Sequence, residues 1–267
     1  MTQRQSPQAT RSLDVELDIV IPVYNEGQNI ISVLEALRRE VTSSYRILIC
    51  YDHDEDDTLP VLHTYPLDGI DLRFVKNTGR GPHQAVMTGF QASVAPAVLV
   101  FPADDDYNAA IIDPMLAAFR KGRDIVCASR FMPGGEMVGC PMIKMLLLRA
   151  AAFTLRHVAR VPTHDATNGF RLFSRRVLEE IEVESNLGFT FSLELLVKVH
   201  RLRWTVGENP AIWIERGEDQ GSSKFKLLRW LPAYLRWYFY AFATTYLRRT
   251  PRTVSLRHPE PVDETAS

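Results

Sequence analysis

The chain has 267 residues, 46% of them hydrophobic and 24% charged, with 14 glycines and 16 prolines. That is enough apolar material for one main core, and it excludes collagen-like, low-complexity and mostly disordered chains. Thirty-one basic against 32 acidic side chains leave a formal charge of -1, which removes any global electrostatic case for nucleic-acid binding.

The N-terminal residues 1–14 are polar, lack the apolar stretch of a secretory signal, and read as a disordered arm. Leu17 to Val23 then reads as a buried strand, followed by a helix with Ile30, Val33, Leu34 and Leu37 at helical spacing. The alternation continues with strands at Arg46 to Tyr51, Asp71 to Val75, Ala97 to Phe101 and Asp124 to Ser129, and helices near 55–64, 83–94 and 111–121. This predicts right-handed βαβ units and an α/β fold, a mostly parallel sheet flanked by helices. Cys50 and Cys127 fall inside predicted strands, and three cysteines cannot all pair, so reduced thiols in a cytoplasmic setting are expected.

Ligands of such sheets lie beyond the C-terminal strand ends, where this sequence places Tyr24-Asn25-Glu26, the acidic run Asp52 to Asp57, and Asp104-Asp105-Asp106. Adjacent carboxylates repel one another unless a cation sits among them. On an extended chain Asp104 and Asp106 project to one side, suited to Mg²⁺ or Mn²⁺, while Asp105 points away; the alternative is a solvated acidic loop. Asp52 is expected to meet a base or ribose, and most of the acids after it to cap a helix. Arg130 follows the fifth strand, and Arg216 and Lys224 flank the Gly/Ser-rich stretch GEDQGSS, which could close over an anionic ligand. The nucleophile-elbow and phosphate-loop motifs are absent, and the seven histidines lack zinc spacing.

Further on, Pro141 to Val161 reads as a long apolar helix carrying Lys144, Arg149, Arg156 and Arg160, Phe189 to Leu202 as another, and Trp204 to Ile214 as extended. Between Phe225 and Tyr246 lie nine aromatics interspersed with basic residues. The apolar stretch Trp237 to Leu247 is too short to cross a bilayer, so the segment 223–250 is expected to be an amphipathic helix in a membrane interface, broken or kinked at Pro232. Its alternatives are a contact between copies of the chain, giving a homo-oligomer, or a helix packed on the domain. Residues 251–267 read as a disordered tail.

Taken together and in order, IPVYNEGQNI, the turn at Asp52, the Asp cluster, SRFMPGG, DATNGFRLFSRRVL, FSLELL and ERGEDQGSSKFK resemble family 2 glycosyltransferases of the GT-A (Rossmann-like) fold, with the nearest look to polyprenyl-phosphate glycosyltransferases of the dolichol-phosphate mannosyltransferase type. The resemblance implies a catalytic domain over 15–222 and a nucleotide diphosphate sugar donor, GDP- or UDP-linked, whose sugar is transferred with inversion. It implies that Pro22, Tyr24, Glu26, Asp52, Ala103 and Asp104 line the donor site and that Asp104 and Asp106 hold the metal. Arg130, Arg216 and Lys224 would meet phosphates, and Lys144 and Glu194 would lie on the acceptor side. Asp165 is expected near the acceptor, as the base if that acceptor is a hydroxyl; the competing reading is a tight turn at Asp165 to Arg171. A lipid phosphate needs no base, because its oxygen is already anionic. Two family carboxylates are replaced here, by Tyr51 and Pro102. The expected protein is a peripheral enzyme on the cytoplasmic face of a membrane with a lipid-phosphate acceptor. Its rivals are transfer to a saccharide or small hydroxyl, and nucleotide-sugar binding without turnover.

Overall fold

Runs of β-branched and aliphatic residues bounded by polar turns make the strands of this computed structural model, which describes residues 15–67, 69–215, 227–247 and 254–257, with the side chains of 227–229 outside the description. The elements of the first half are β1 (Leu17–Pro22), α1 (Asn29–Glu40), β2 (Tyr45–Tyr51), α2 (Thr58–Thr64), β3 (Leu72–Lys76), α3 (Gly81–Ala92), β4 (Ala97–Val100), α4 (Ile112–Arg120) and β5 (Ile125–Ser129). The second half adds β6 (Glu136–Val138), α5 (Met142–Phe153) continuing into a π-helical turn at Thr154–Val158, β7 (Arg171–Ser174), α6 (Arg175–Glu180), α7 (Thr190–Arg201), β8 (Val206–Pro210), β9 (Ile212–Ile214) and α8 (Leu227–Tyr246).

Seven strands form one sheet in the order β3-β2-β1-β4-β7-β5-β8, and β6 pairs with β9 in a small parallel ribbon. All pairings in the main sheet are parallel except those of β7, which runs antiparallel to both β4 and β5. β7 lies within the segment DATNGFRLFSRRVL, whose pattern does not announce a strand. It is only four residues long, and its fully buried Arg171 interrupts the apolar pattern.

Alternate residues of each strand feed two cores, as a sheet covered on both faces requires. In β1, Ile19 and Ile21 pack with α1 residues such as Leu34 and Leu37, while Val20 faces α3. A side chain at Gly89 of α3 would meet Val20 Cγ1 at 2.5 Å and the Cys50 sulfur at 2.9 Å, so only glycine permits this approach of helix to sheet.

At the C-terminal end, α8 runs through Pro232 without stopping, so the expected break does not occur. Having no backbone N–H, Pro232 leaves one hydrogen bond out of the α8 ladder. One face of α8 packs on α7: Trp237 and Ala241 are buried, Lys198 lies 5.1 Å from the Trp237 ring, and an Arg201 Nη1 donates to the Thr244 carbonyl. The opposite face leaves Leu231, Leu235, Phe239 and Tyr246 exposed. In the tail expected to be disordered, residues 254–257 dock instead: Leu256 bridges Ile181, and Val254 is buried. No described helix is long and apolar enough to cross a membrane.

Candidate functional site

The strand order reverses between β1 and β4, which opens a crevice at the C-terminal sheet edge. The loops after the parallel strands β1, β2, β3, β4 and β5 all leave the sheet at this edge, and hydrogen bonds join those after β1 and β2.

The β1 and β2 loops are clamped to each other by carboxylates. The Asn25 N–H donates to Asp56 at 3.1 Å and the Gly27 N–H to Asp57 at 2.8 Å, while Asp56 also caps Thr58. Asn25 and Gly27 both take left-handed backbone, with φ of 52° and 51°, a conformation these residue types adopt at low cost. The acids after Asp52 therefore do more than the expected helix capping; they fix the loop that carries Tyr24 and Glu26. Tyr24 is exposed and stands edge-on to His53. Asp52 accepts from Asn77 Nδ2 and from the Gly81 N–H, both at 2.7 Å, so both its oxygens already hold the turn that starts α3. Pro22 closes β1 beside this loop, and Asp54 pairs with Lys76.

After β4 the chain turns instead of staying extended, with a turn at Ala103 and Asp104 and a bend from Asp106 to Asn108; Asp104 and Asp106 are exposed and Asp105 between them is buried. Asp105 accepts the Asn108 N–H at 2.9 Å and Asn108 Nδ2 at 2.7 Å, and Asn108 in turn brackets Ile212 with two hydrogen bonds. Burial pushes the Asp105 carboxyl up to about 6 despite these bonds. Buried Ala103 seats the turn. Asn108 escaped notice in the sequence, where nothing distinguishes it from a helix-flanking residue. Two exposed carboxylates on this turn supply oxygen donors, a chemistry that fits a hard divalent cation. No group of three or more His, Cys, Asp or Glu able to hold a metal occurs among the described residues.

After β5, Arg130 is tied to Asp165 through Nε at 2.6 Å and Nη2 at 3.0 Å, and its backbone N–H donates to the same carboxylate. Asp165 is fully buried and Thr167 donates to it as well. Burial alone would raise this carboxyl, but the charge and hydrogen bonds of Arg130 outweigh it and hold the group below its usual value. Both Asp165 oxygens are therefore engaged within the fold, Oδ2 by Arg130 and Oδ1 by Arg130 and Thr167.

Two acceptor-side expectations also change. Lys144 donates to both oxygens of Glu215, at 2.7 and 2.8 Å, which joins α5 to the end of β9. Glu194 lies buried on α7, accepting the Glu184 and Ser185 N–H groups and the Lys198 ammonium, so it ties a loop to α7 inside the fold. Arg216 and Lys224 lie outside the described residues.

Comparison with known proteins bears on this geometry. The sequence model for "Glycosyl transferase family 2" matches residues 18–182, more than half of the chain. The polyprenol monophosphomannose synthase of Mycolicibacterium smegmatis is 26% identical over 227 residues, covering 79% of this chain and 85% of that protein. The dolichol-phosphate mannosyltransferase of Pyrococcus furiosus is 24% identical over 240 residues, covering 84% of this chain but only 64% of its own length. Among solved structures, glucosyl-3-phosphoglycerate synthase from Mycobacterium tuberculosis, in complex with Mn²⁺, UDP-glucose and phosphoglyceric acid, superposes with a TM-score of 0.61 at 15% identity, covering 86% of this chain and 79% of that one. The latter likeness establishes a shared GT-A fold.

Proposed function

Because the chain belongs to glycosyl transferase family 2, and is thus a glycosyltransferase, we propose that it moves a sugar from a nucleoside diphosphate donor to a polyprenyl or dolichyl phosphate at a membrane surface, with inversion and with the help of Mg²⁺ or Mn²⁺. The observation that carries the choice of a phosphate acceptor is the state of Asp165. The carboxylate expected to deprotonate a hydroxyl is buried and bound to Arg130. A phosphate oxygen is anionic near neutral pH and attacks the anomeric carbon without a base. The bond from that carbon to the diphosphate oxygen breaks, and its electron pair leaves on the nucleoside diphosphate.

The protein then contributes positioning and charge. Asp104 and Asp106 would hold the cation, with donor phosphates completing its shell. When bound, that cation neutralises charge developing on the leaving diphosphate. The clamped β1 and β2 loops support a nucleoside over Tyr24 and Glu26. The relatives' names support a lipid phosphate, as does the surface beside the crevice: Met142, Ile143, Leu146, Leu147 and Phe153 of α5 are all exposed. With Arg149 and Arg156 nearby, this face suits an anionic bilayer, the cytoplasmic leaflet among them.

The test is incubation with GDP- and UDP-linked sugars, Mn²⁺ or Mg²⁺, and short polyprenyl phosphates. A glycolipid extractable into organic solvent is expected. Product with saccharide acceptors alone, or donor binding without turnover, would overturn the proposal.

A further inference from the structure

An edge strand presents backbone N–H and C=O groups that some other part of the chain has to answer. On one side β9 is answered by β6, with the Glu136 N–H donating to the Ala211 carbonyl at 3.1 Å and the Glu215 N–H to the Val138 carbonyl at 2.9 Å. Strand alternation turns the groups of Ile212 and Ile214 the other way. No strand pairs with that side among the described residues; two side chains from the turn after β4 do so instead. Asn108 Nδ2 donates to the Ile212 carbonyl at 2.8 Å, Asn108 Oδ1 accepts the Ile212 N–H at 2.9 Å, and the Tyr107 hydroxyl accepts the Ile214 N–H at 3.2 Å. A side-chain amide carries the same donor and acceptor as a peptide group, so Asn108 pairs with β9 as a further strand would. Its second amide hydrogen goes to Asp105 at 2.7 Å, and the residue is 3% exposed. It precedes the 3₁₀ turn at Ala109–Ile111 without capping it, so a local role at a helix start does not account for it.

What β9 carries gives this pairing its consequence. Trp213 follows Ile212, and its ring lies 5.7 Å from the guanidinium carbon of Arg130. The Ala211 N–H donates at 2.9 Å to the carbonyl of Ser129, the residue before Arg130. Asp165 and Thr167 hold Arg130 by hydrogen bonds, and Trp213 and Phe131 contact its guanidinium. Asp104 and Arg130 leave strands that are not neighbours, because β7 stands between β4 and β5. Asn108 therefore joins the turn bearing Asp104 and Asp106 to the strand packed on Arg130, across 104 residues of sequence. The turn itself does not need this side chain, since the backbone N–H groups of Tyr107 and Asn108 both donate to Asp105.

Resting on the transfer reaction proposed above, we propose that Asn108 is a positioning residue of that reaction: through β9 it sets the place of Arg130 relative to Asp104 and Asp106. The experiment compares wild type, Asn108→Ala, Ile212→Pro, Arg130→Lys and Asn108→Ala/Arg130→Lys. It measures kcat for transfer to farnesyl phosphate, the affinity for UDP or GDP with Mn²⁺, and the tryptophan indole N–H resonances by NMR, that of Trp213 being assigned with Trp213→Phe. Asn108→Ala is expected to lower kcat at least ~10-fold, as displacement of a reacting group by about 1 Å does, while nucleotide affinity stays within about threefold. The Trp213 resonance should move and those of Trp204, Trp230 and Trp237 should not. Ile212→Pro removes only the N–H that Asn108 accepts, on the side of β9 where a proline displaces no strand pairing, and should act in the same direction more weakly. Arg130→Lys should lower kcat by a smaller factor in the Asn108→Ala background than in wild type; factors that simply multiply would overturn the coupling. A fall in kcat with the Trp213 resonance unmoved would overturn the route through β9, and a fall in nucleotide affinity as large as that in kcat would confine Asn108 to the donor turn. If wild type forms glycolipid and both Asn108→Ala and Ile212→Pro match its kcat, the positioning role falls and the function stands. If wild type forms none, yet Asn108→Ala moves the Trp213 resonance, the acceptor reading falls and the link from Asn108 to Arg130 stands.

Discussion

Arg130 and Asp165 close on each other at the end of β5 through two side-chain hydrogen bonds of 2.6 and 3.0 Å, both groups buried. Removing one partner of such a pair leaves an uncompensated charge in the interior, at a cost of about 3–5 kcal/mol. Asp165→Asn should therefore lower stability by this order in denaturant titration and lower kcat as Arg130 loses its orientation. A double-mutant cycle with Arg130→Met should recover much of the stability but none of the activity. Additive losses would contradict the pairing.

The tip of β4 makes a separate prediction. Asp104→Asn should lower transfer at least ~100-fold through loss of a charge that positions the metal-bound diphosphate, and Asp106→Asn should lower it less. Pro102→Asp, which restores a third carboxylate, should tighten Mn²⁺ binding as judged by the metal dependence of the rate. A metal dependence unchanged in all three variants would remove the cation from this tip.

Burial raises the Asp105 carboxyl from 3.8 to about 6. A carboxyl raised on folding contributes stability that is full below its unfolded value and is lost as pH rises through the folded one. Relative to Asp105→Asn, the wild type should lose up to about 3 kcal/mol between pH 4 and 7, following the conversion of about 1.4 kcal/mol per unit. Urea melts of both proteins across that range check it; parallel curves would contradict it.

The exposed face of α5 predicts vesicle binding. Leu146→Glu/Leu147→Glu should reduce partitioning onto anionic vesicles at least ~10-fold, since each buried leucine contributes about 1.5–3 kcal/mol. Salt should weaken the wild-type interaction. Equal partitioning of the two proteins would point away from α5.

The parallel half of the fold was legible because its strands are apolar runs separated by amphipathic helices, as at Ile30, Val33, Leu34 and Leu37. The exposure of Asp104 and Asp106 was anticipated too, but it is the turn after β4 and the hydrogen bonds holding Asp105 to Asn108, not strand alternation, that set it. β7 was not legible: its pairing with β4 and β5 is long-range, and Arg171 at its start breaks the apolar pattern. Nor were the partnerships of charged groups. Sequence position brought Arg130, Lys144, Asp165 and Glu194 to the right regions, but whether a charge is spent on a neighbour depends on tertiary distances. Lys144 and Glu215 are separated by 71 residues and bonded, while Arg149, five residues further along α5, makes only a contact with the Phe131 ring among the described residues. The acids at Asp56 and Asp57 read locally as caps, and their bonds to Asn25 and Gly27 appear only once β1 and β2 lie side by side.

Binding of nucleoside diphosphate with and without Mn²⁺, measured by calorimetry on wild type and Asp104→Asn, addresses the pyrophosphate site most directly. Wild type should bind UDP or GDP at least ~10-fold more tightly with the cation present, and Asp104→Asn should abolish that gain. Equal affinity with and without Mn²⁺ in the wild-type protein would contradict a cation held between the carboxylates after β4 and the donor.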